Sequence, residues 1–563
     1  MNCSSYVLQS SSLLLSRDED SLGVPSESNI TPATFNRRKV ICDRVHDQMI
    51  FPPAIMSVVD TPQFQRLRDL HQLGNCRYLF PGASNTRFEH SLGVAYLGMR
   101  MLRQLKSNHE EIGPPLDVSE QDLLCVGIAG LCHDLGHGPL SHMFEDVVNE
   151  VRERKGTLKS KGRWAHEDAS IEMFDYLLKV NDIDVREFNL NPVADVNFIK
   201  ILILGLKPDT PWPNNVGRSN EKRYLLDIVA NKRNGIDVDK LDYFLRDSMS
   251  CYGKLPELHV DRILNCARVI SFEGQTQICF EEKVALSLGE LFALRVRLHK
   301  FVYQHRVVKV LDEMTKNALI AAEDHFRITL PSGQLVSICD TVDSMEAYEK
   351  TGDWIFNAIQ ATCGPELAPA RDILTRIRSR MLYQLVGCYV FLPGERAKPP
   401  SGATPVARSR KKVLQRLITA EEIMEFVPPD TLMPLSNIFV TCTTIVVGST
   451  GDQVGDPLNR VRFFNPKKEP NTARRLSADR NSPLFTPQSF EEHTAFVYSR
   501  ERTHATVVYQ AFQEWFILAK NDGRATEATP FVNASPNMVR KRTREDMLGT
   551  PPPLILTPQK SRA

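Results

Sequence analysis

The chain has 563 residues, 42% of them hydrophobic and 24% charged, the balance of a folded globular protein and not of a disordered or fibrous one. Its 69 Lys and Arg against 68 Asp and Glu leave a net charge of +1, so a nucleic-acid or membrane partner has to be met by a local patch. The longest apolar runs, such as residues 199–206, fall far short of the roughly 18 residues that a membrane span needs. No basic segment precedes Leu13 to Leu15, so no secretory leader is predicted. The 12 cysteines include no C-x-x-C pair and read as reduced core thiols of an intracellular protein.

In chain order, residues 1–36 are Ser-rich and aperiodic and read as a flexible arm. Residues 37–393 carry apolar side chains at three- and four-residue spacing, which predicts a mainly helical core. Leu92, Tyr96, Met99 and Leu102 share one helical face. Ser119 is placed to cap a second helix bearing Leu123, Leu124, Ile128 and Leu131, with Gly136 and Gly138 marking its end. Residues 326–330 and 334–338 flank Pro331-Ser332-Gly333 as a hairpin, and residues 437–447 and 460–464 read as a later β pair. Residues 394–412, rich in Pro, Ser, Lys and Arg, read as a mobile basic loop ahead of a smaller α+β regulatory or oligomerisation lobe at 413–520. Residues 521–563, where periodicity is lost, read as a disordered tail, and no internal repeat is found in the sequence.

Six of the 14 histidines, His90, His109, His133, His137, His142 and His166, lie between positions 90 and 166. At the centre, His133-Asp134 can turn an imidazole and a carboxylate toward one cation, a donor mix suited to Fe, Mn or Zn. Arg87-Phe88-Glu89-His90 stands upstream, Trp164-Ala165-His166-Glu167 follows, and Asn234-Gly235-Ile236-Asp237-Val238-Asp239-Lys240-Leu241-Asp242-Tyr243 lies beyond. The order His, His-Asp, Asp is the signature of the HD metal-dependent phosphohydrolases. With Thr61-Pro62-Gln63-Phe64-Gln65-Arg66-Leu67-Arg68, Phe80-Pro81-Gly82-Ala83-Ser84 and His90-Ser91-Leu92-Gly93-Val94, the chain resembles the catalytic core of the animal deoxynucleoside triphosphate triphosphohydrolases that carry SAM and HD domains. The resemblance runs over about residues 38–520.

The resemblance implies an HD-domain helical core that binds one transition-metal ion through His90, His133, Asp134 and Asp239. The implied reaction is hydrolysis of a dNTP to deoxynucleoside and inorganic triphosphate, with Mg²⁺ on the nucleotide. His142 is the expected proton donor, with His137 and His166 beside it. Glu145, where the family has Asp, is expected to orient His142 from the same helical face. Arg87, Lys240 and Arg295 would meet phosphate oxygens, with Tyr243 and Asp247 on the Lys240 face. By resemblance Gln72, Leu73, His299, Tyr303 and Gln304 line sugar and base, Leu73 and Tyr303 excluding a 2′-hydroxyl by contact.

The resemblance also implies activation by GTP or dGTP and dNTPs bound between subunits of a homotetramer that is a dimer at rest. Lys39, Val40, Asp60, Gln65 and Arg68 match the guanine-specific site. Arg262, Lys283, His305 and Arg306 match the adjacent deoxynucleotide site, where Cys42, His259 and Glu281 replace the family's Asn, Asp and Arg. The 36 residues ahead of the core are too few for a SAM domain. Thr557-Pro558-Gln559-Lys560 has the form of a cyclin-dependent kinase site and Arg474-Arg475-Leu476 of a docking motif, while Arg540-Lys541-Arg542-Thr543-Arg544 reads as a nuclear import signal or a solvated basic run; the expected location is the nucleus, and also the cytoplasm. The competing readings are an HD-type nuclease or nucleotide phosphodiesterase, and a non-catalytic nucleotide sensor or single-stranded nucleic-acid binder acting through the basic loop and tail.

Overall fold

The long helix Arg87–Glu111 begins where Thr86 and Glu89 form a capping box, so two backbone donors that a helix start leaves open are satisfied locally. In the computed structural model, which describes residues 38–391, 418–448, 455–477, 487 and 489–521, this helix is the central element. Leu92, Met99 and Leu102 are buried as expected and Tyr96 is half-buried, yet Val94, Ala95 and Met101 on other faces are buried too. A helix apolar all round is one enclosed by neighbours. The expected arm 1–36, the basic loop 394–412, the basic run at 540–544 and Thr557 lie outside the described residues.

The second predicted helix spans Glu120–Cys132, and Ser119 and Asp122 cap it as a box. It lies against the central helix so closely that a Cβ on Gly130 would sit 2.8 Å from the Ala95 Cα, a contact only glycine permits. The helix stops at Cys132, before either glycine. His133 and Asp134 therefore emerge at its carboxyl end, where the helix dipole favours a cation.

Four small sheets complete the described fold. Strands β1 (Lys39–Asp43) and β2 (Asp47–Phe51) form an antiparallel hairpin on the central helix side. β3 (Ala267–Phe272) and β4 (Gln275–Glu281) pair antiparallel. β5 (Arg327–Thr329) and β6 (Leu335–Ser337) make the predicted hairpin. β7 (Gln384–Phe391), β8 (Ile438–Val446) and β11 (Glu491–Ser499) form a sheet in the order β7-β11-β8. β9 (Phe463–Asn465) joins β4 in parallel, with β10 (Glu469–Arg474) on its outer side.

The expected pairing of the 437–447 and 460–464 strands is thus corrected: β8 pairs with β11, whereas β9 pairs with β4 and β10. Each strand finds the partner that buries its apolar face. Phe463 is fully buried in the main core, while Val497 and Val386 of the other sheet pack with Val508, Phe512 and Trp515 of the helix Ala505–Asn521 in a second core. The strands also cross the 394–412 segment in both directions, since β7 belongs to the late sheet and β9 to the sheet of β3 and β4. The architecture is mainly α with small β elements.

Candidate metal centre and nucleotide cavity

Two helices and the end of a third converge at the centre of the molecule. His90 projects from the central helix, His133 and Asp134 from the end of Glu120–Cys132, and Asp239 from the first turn of Val238–Tyr252. His90 Nε2 lies 3.2 Å from Asp239 Oδ1 and 3.6 Å from Asp134 Oδ2. His133 Nε2 lies 3.6 Å from Asp239 Oδ1 and 3.5 Å from Asp134 Oδ1. Ligands about 2.0–2.2 Å from a metal ion stand roughly 3–3.6 Å apart, so His90, His133 and Asp239 fit a single divalent cation, with the Asp134 carboxylate, ion-paired to Arg87, at its side.

The orientation of the donors agrees. His133 Nδ1 is 2.8 Å from the Gly130 carbonyl, which fixes the proton there and turns Nε2 inward, a buried nitrogen with no hydrogen-bond partner. His90 Nδ1 is 2.7 Å from Asp242 Oδ2, leaving its Nε2 for the ion. Burial opposes charge on His90, but the hydrogen bonds to Asp239 and Asp242 outweigh it and raise the imidazole to about 10. Burial likewise opposes ionisation of Asp134, yet Arg87 and His133 hold its carboxyl well below the usual range. A site with this much negative charge around two imidazoles takes up a cation.

Asp242 is the residue that sequence reasoning missed. It is fully buried and accepts from His90, from His46 Nε2 at 2.6 Å and from Arg246 Nε at 2.9 Å. Arg246, also fully buried, donates in turn to Asp43 Oδ2 at 2.8 Å at the end of β1. A Cβ on Gly93 would collide with Asp242 Oδ1, so glycine there makes room for the network. Asp242 sits inside the quoted motif, but its role depends on which way the helix faces.

One continuous cavity of about 1320 Å³ opens from this centre. The expected metal ligands and substrate residues all line it: Gln72, Leu73, Arg87, Lys240, Tyr243, Asp247, Arg295, His299, Tyr303 and Gln304 reach the same space. Arg87 pairs with Asp134 and donates to Ser141 Oγ at 3.1 Å. Lys240 Nζ is 2.9 Å from Asp237 Oδ2. Arg295 is buried, donates to the Val446 carbonyl, and leaves its Nε without a partner; among the described residues it has no ion pair. A buried guanidinium without a carboxylate is a socket for an anion. Tyr303 donates its hydroxyl to Asp247 Oδ2 at 2.8 Å, and burial pushes that carboxyl up to about 6.

His137, His142 and His166 form a second cluster beside the centre, with the His137 and His166 rings stacked at 4.0 Å and the His142 ring edge-on at 4.9 Å from His137. Leu140 and Ser141 hold left-handed backbone, φ 54° and 65°, just ahead of His142. Non-glycine residues in that region store strain, and here the strain sets His142 on the first turn of its helix, facing the cavity. Burial and the charge of Arg87 hold His137 well below the ordinary imidazole range. Enclosure and the charges of His166 and Arg87 push His142 down to about 3; because its ring opens onto the cavity, water there offsets part of the enclosure. The expected Glu145 partner is corrected: its Oε2 bonds His166 Nδ1 at 2.7 Å, because the carboxylate points across to the start of the His166–Val180 helix and not back along its own.

The residues matched to activator sites stay outside this cavity. Lys39 and Val40 are exposed on β1. Asp60 ends the helix Pro53–Val59, Gln65 bonds the Val59 carbonyl at 2.8 Å, and Arg68 donates to Gln65 Oε1 at 2.7 Å while lying over the Phe88 ring. Arg262 reaches the Lys283 carbonyl at 3.4 Å, and Glu281 pairs with Lys283 at 2.7 Å. His305 caps the helix Arg306–Ala322, with Arg306 exposed. Cys42 is exposed on β1, and His259 precedes the helix Val260–Asn265. Arg474 of the expected docking motif is ion-paired with Glu282 in β10.

A cluster of two histidines and two aspartates at the junction of three helices, buried at His90 and Asp134 and half-buried at His133 and Asp239, opens on a cation-lined cavity as a metal-dependent phosphohydrolase centre does, and residues 87–192 match the HD domain family. Over 503 residues the chain is 37% identical to the deoxynucleoside triphosphate triphosphohydrolase SAMHD1 of Bos taurus, covering 85% of this chain and 78% of the relative. The Homo sapiens protein of that name is 36% identical over 85% of this chain and 73% of its own length, and the Dictyostelium discoideum homolog is 31% identical over 84% and 80%. The chain belongs to this SAMHD1 family of HD-domain enzymes.

Proposed function

We propose that the chain is a metal-dependent dNTP triphosphohydrolase, releasing deoxynucleoside and intact inorganic triphosphate. The observation that carries this reading is the convergence of the His90, His133, Asp134 and Asp239 ligand set with Arg87, Lys240, Arg295 and three further histidines in one cavity. Held by His90, His133, Asp134 and Asp239, a divalent ion, Zn, Fe or Mn, would supply a water of lowered pKa and positive charge for the α-phosphoryl group. Arg87 holds Asp134 in place and, with Lys240 and Arg295, neutralises phosphate oxygens, while Mg²⁺ accompanies the nucleotide. His142 is neutral in the free protein; the arriving polyanion raises its proton affinity, and the proton then passes to the departing 5′-oxygen. His166, fixed by Glu145, and His137 position it. Leu73 and the Tyr303 ring, held by Asp247, close the space a ribose 2′-hydroxyl would need.

The reading extends to GTP or dGTP at Lys39, Val40, Asp60, Gln65 and Arg68, a second nucleotide at Arg262, Lys283, His305 and Arg306, and assembly to a homotetramer. The Glu281–Lys283 pair removes one cation from the second site, so a weaker or altered dNTP preference belongs to this chain. Nuclear residence, a cyclin-dependent kinase acting at Thr557, single-stranded nucleic acid at 394–412 and 521–563, and a regulatory role for 413–520 complete the proposal. Phosphorus NMR of the purified protein with dGTP and Mg²⁺, then with dATP with and without GTP, tests it. Inorganic triphosphate that appears, and is lost in Asp134→Asn, upholds the reaction; orthophosphate, pyrophosphate or hydrolysis of oligonucleotides instead rejects it. Triphosphate from dATP only when GTP is present upholds the activator site.

A further inference from the structure

The cavity continues past Lys240. Its volume of about 1320 Å³ exceeds the roughly 300–1,000 Å³ of an ordinary ligand pocket, so one nucleotide leaves part of it unfilled. Beyond Asp237 the wall is made by Lys207, Lys232, Arg233, Arg460, Arg462 and Arg475, drawn from segments more than two hundred positions apart in the chain. Asp209 and Glu273 are the acidic side chains on the same wall. Arg233 spends its Nη atoms on Gln275 Oε1, both at 3.2 Å, and its Nε lies 3.5 Å from Asp227. Arg462 lies over the Phe272 ring at 4.5 Å and donates from Nη1 to the carbonyls of Asn459 and Val461 at 2.9 and 3.1 Å. Its Nε is buried and has no partner. Burial, and the charges of Arg475 and Arg233 beside it, depress the Arg462 guanidinium. Cations packed so that they repel one another, on a wall with few acids, are stabilised by an anion between them.

We propose that this arm is a second anion site, a vestibule that receives the inorganic triphosphate on its way out. The inference rests on the triphosphohydrolase reading above. Hydrolysis at the α-phosphate leaves a polyanion beside Lys240 and Arg295, in a cavity where every cation that stabilised it also retains it. A further set of guanidiniums continuous with the first gives the product a graded path, because phosphate oxygens are handed from one donor fork to the next. The arm opens from the metal centre with the Phe272 ring in its wall, and the close-set guanidiniums of Arg233, Arg462 and Arg475 suit a compact polyanion better than an extended nucleic-acid strand.

The test uses the full-length, metal-loaded protein with tripolyphosphate as the probe. Product inhibition and KM for dATP are measured for the natural chain and for Arg460→Ala/Arg462→Ala/Arg475→Ala, none of which is assigned to catalysis. The expected result is an inhibition constant for tripolyphosphate raised about tenfold, KM within about twofold of the natural value, and recovery when the three positions are Lys. An unchanged inhibition constant overturns the vestibule, and so does a KM that rises in parallel, because the arginines would then belong to the substrate site. Arg475→Glu, at an exposed position, keeps the test available should the triple variant fold poorly. Calorimetric titration of tripolyphosphate onto the same proteins reads the arm even if no turnover is found, so failure of the site and failure of the reaction are told apart. Oligothymidylate binding lost in the variants while tripolyphosphate binding persists also overturns it.

Discussion

Asp242→Asn separates a residue that tunes the metal centre from one that merely fills the core. The carboxylate gives one oxygen to His90 Nδ1 at 2.7 Å and the other to His46 at 2.6 Å, while Arg246 donates to both. An asparagine keeps the shape but offers one acceptor and no charge, so His90 loses the anion that makes its other nitrogen a strong donor to the ion. Losses of this kind lower metal affinity about 10–100-fold, or about 1.4–2.7 kcal/mol. The same change leaves the fully buried Arg246 with Asp43 as its remaining carboxylate, so the chain is destabilised by up to about 3–5 kcal/mol. Asp43→Asn serves as the control, since it also strips Arg246 of a partner yet leaves the Asp242–His90 bond. Metal affinity by competition with a chromogenic chelator, and unfolding by denaturant, are measured for both. Asp242→Asn is expected to lose metal affinity and stability together, and Asp43→Asn to lose stability with metal affinity within about threefold. Equal metal affinities in Asp242→Asn and the natural chain would refute the argument, as would equal losses in the two variants.

Asp239→Asn removes the charge of the carboxylate whose Oδ1 lies within 3.2–3.6 Å of both imidazoles, and triphosphate release is expected to fall by at least about 10³-fold with bound metal lost in elemental analysis. In metal-free protein, His137 is held neutral well below the ordinary value of about 6.5, so its contribution is present above pH 6.5 and is lost as pH falls. The expected cost is up to about 1.4 kcal/mol per pH unit between pH 6.5 and 5, read by denaturant unfolding, and His137→Asn flattens that slope. Leu73→Ala opens the wall beside Tyr303 and is expected to narrow the preference for dATP over ATP about tenfold, as measured by kcat/KM for each.

Much of this was legible in the sequence for local reasons. Ser119 with Asp122, and Thr86 with Glu89, mark helix starts by chemistry confined to four residues, and the hairpin around Pro331-Ser332-Gly333 is equally local. The candidate metal ligands were legible as a pattern, because His90, His133, Asp134 and Asp239 each sit in a motif that the resemblance matches. What the sequence withheld depends on orientation between distant elements. Asp242 becomes an orienting group only because its helix turns it toward His90, and Glu145 serves His166 only because two helices start side by side. The partner of β9 is set by which apolar face lies nearest after folding, which adjacency along the chain does not report. The basic arm of the cavity joins Arg233 to Arg460, Arg462 and Arg475, and no local window contains them together.

The interleaved strands also fix when, during synthesis, the site comes into being. The helices that carry the metal ligands are made early, but β9 must reach β4, and Val446 must reach the Arg295 guanidinium, before the cavity has its far wall. A ribosome that has delivered everything up to β7 has produced all the ligands and no closed chamber, and β7 itself still awaits β11. The cavity of this chain is therefore completed late in translation: its lining is not whole until Arg460, Arg462 and Arg475 have been made, more than two hundred positions after Asp239.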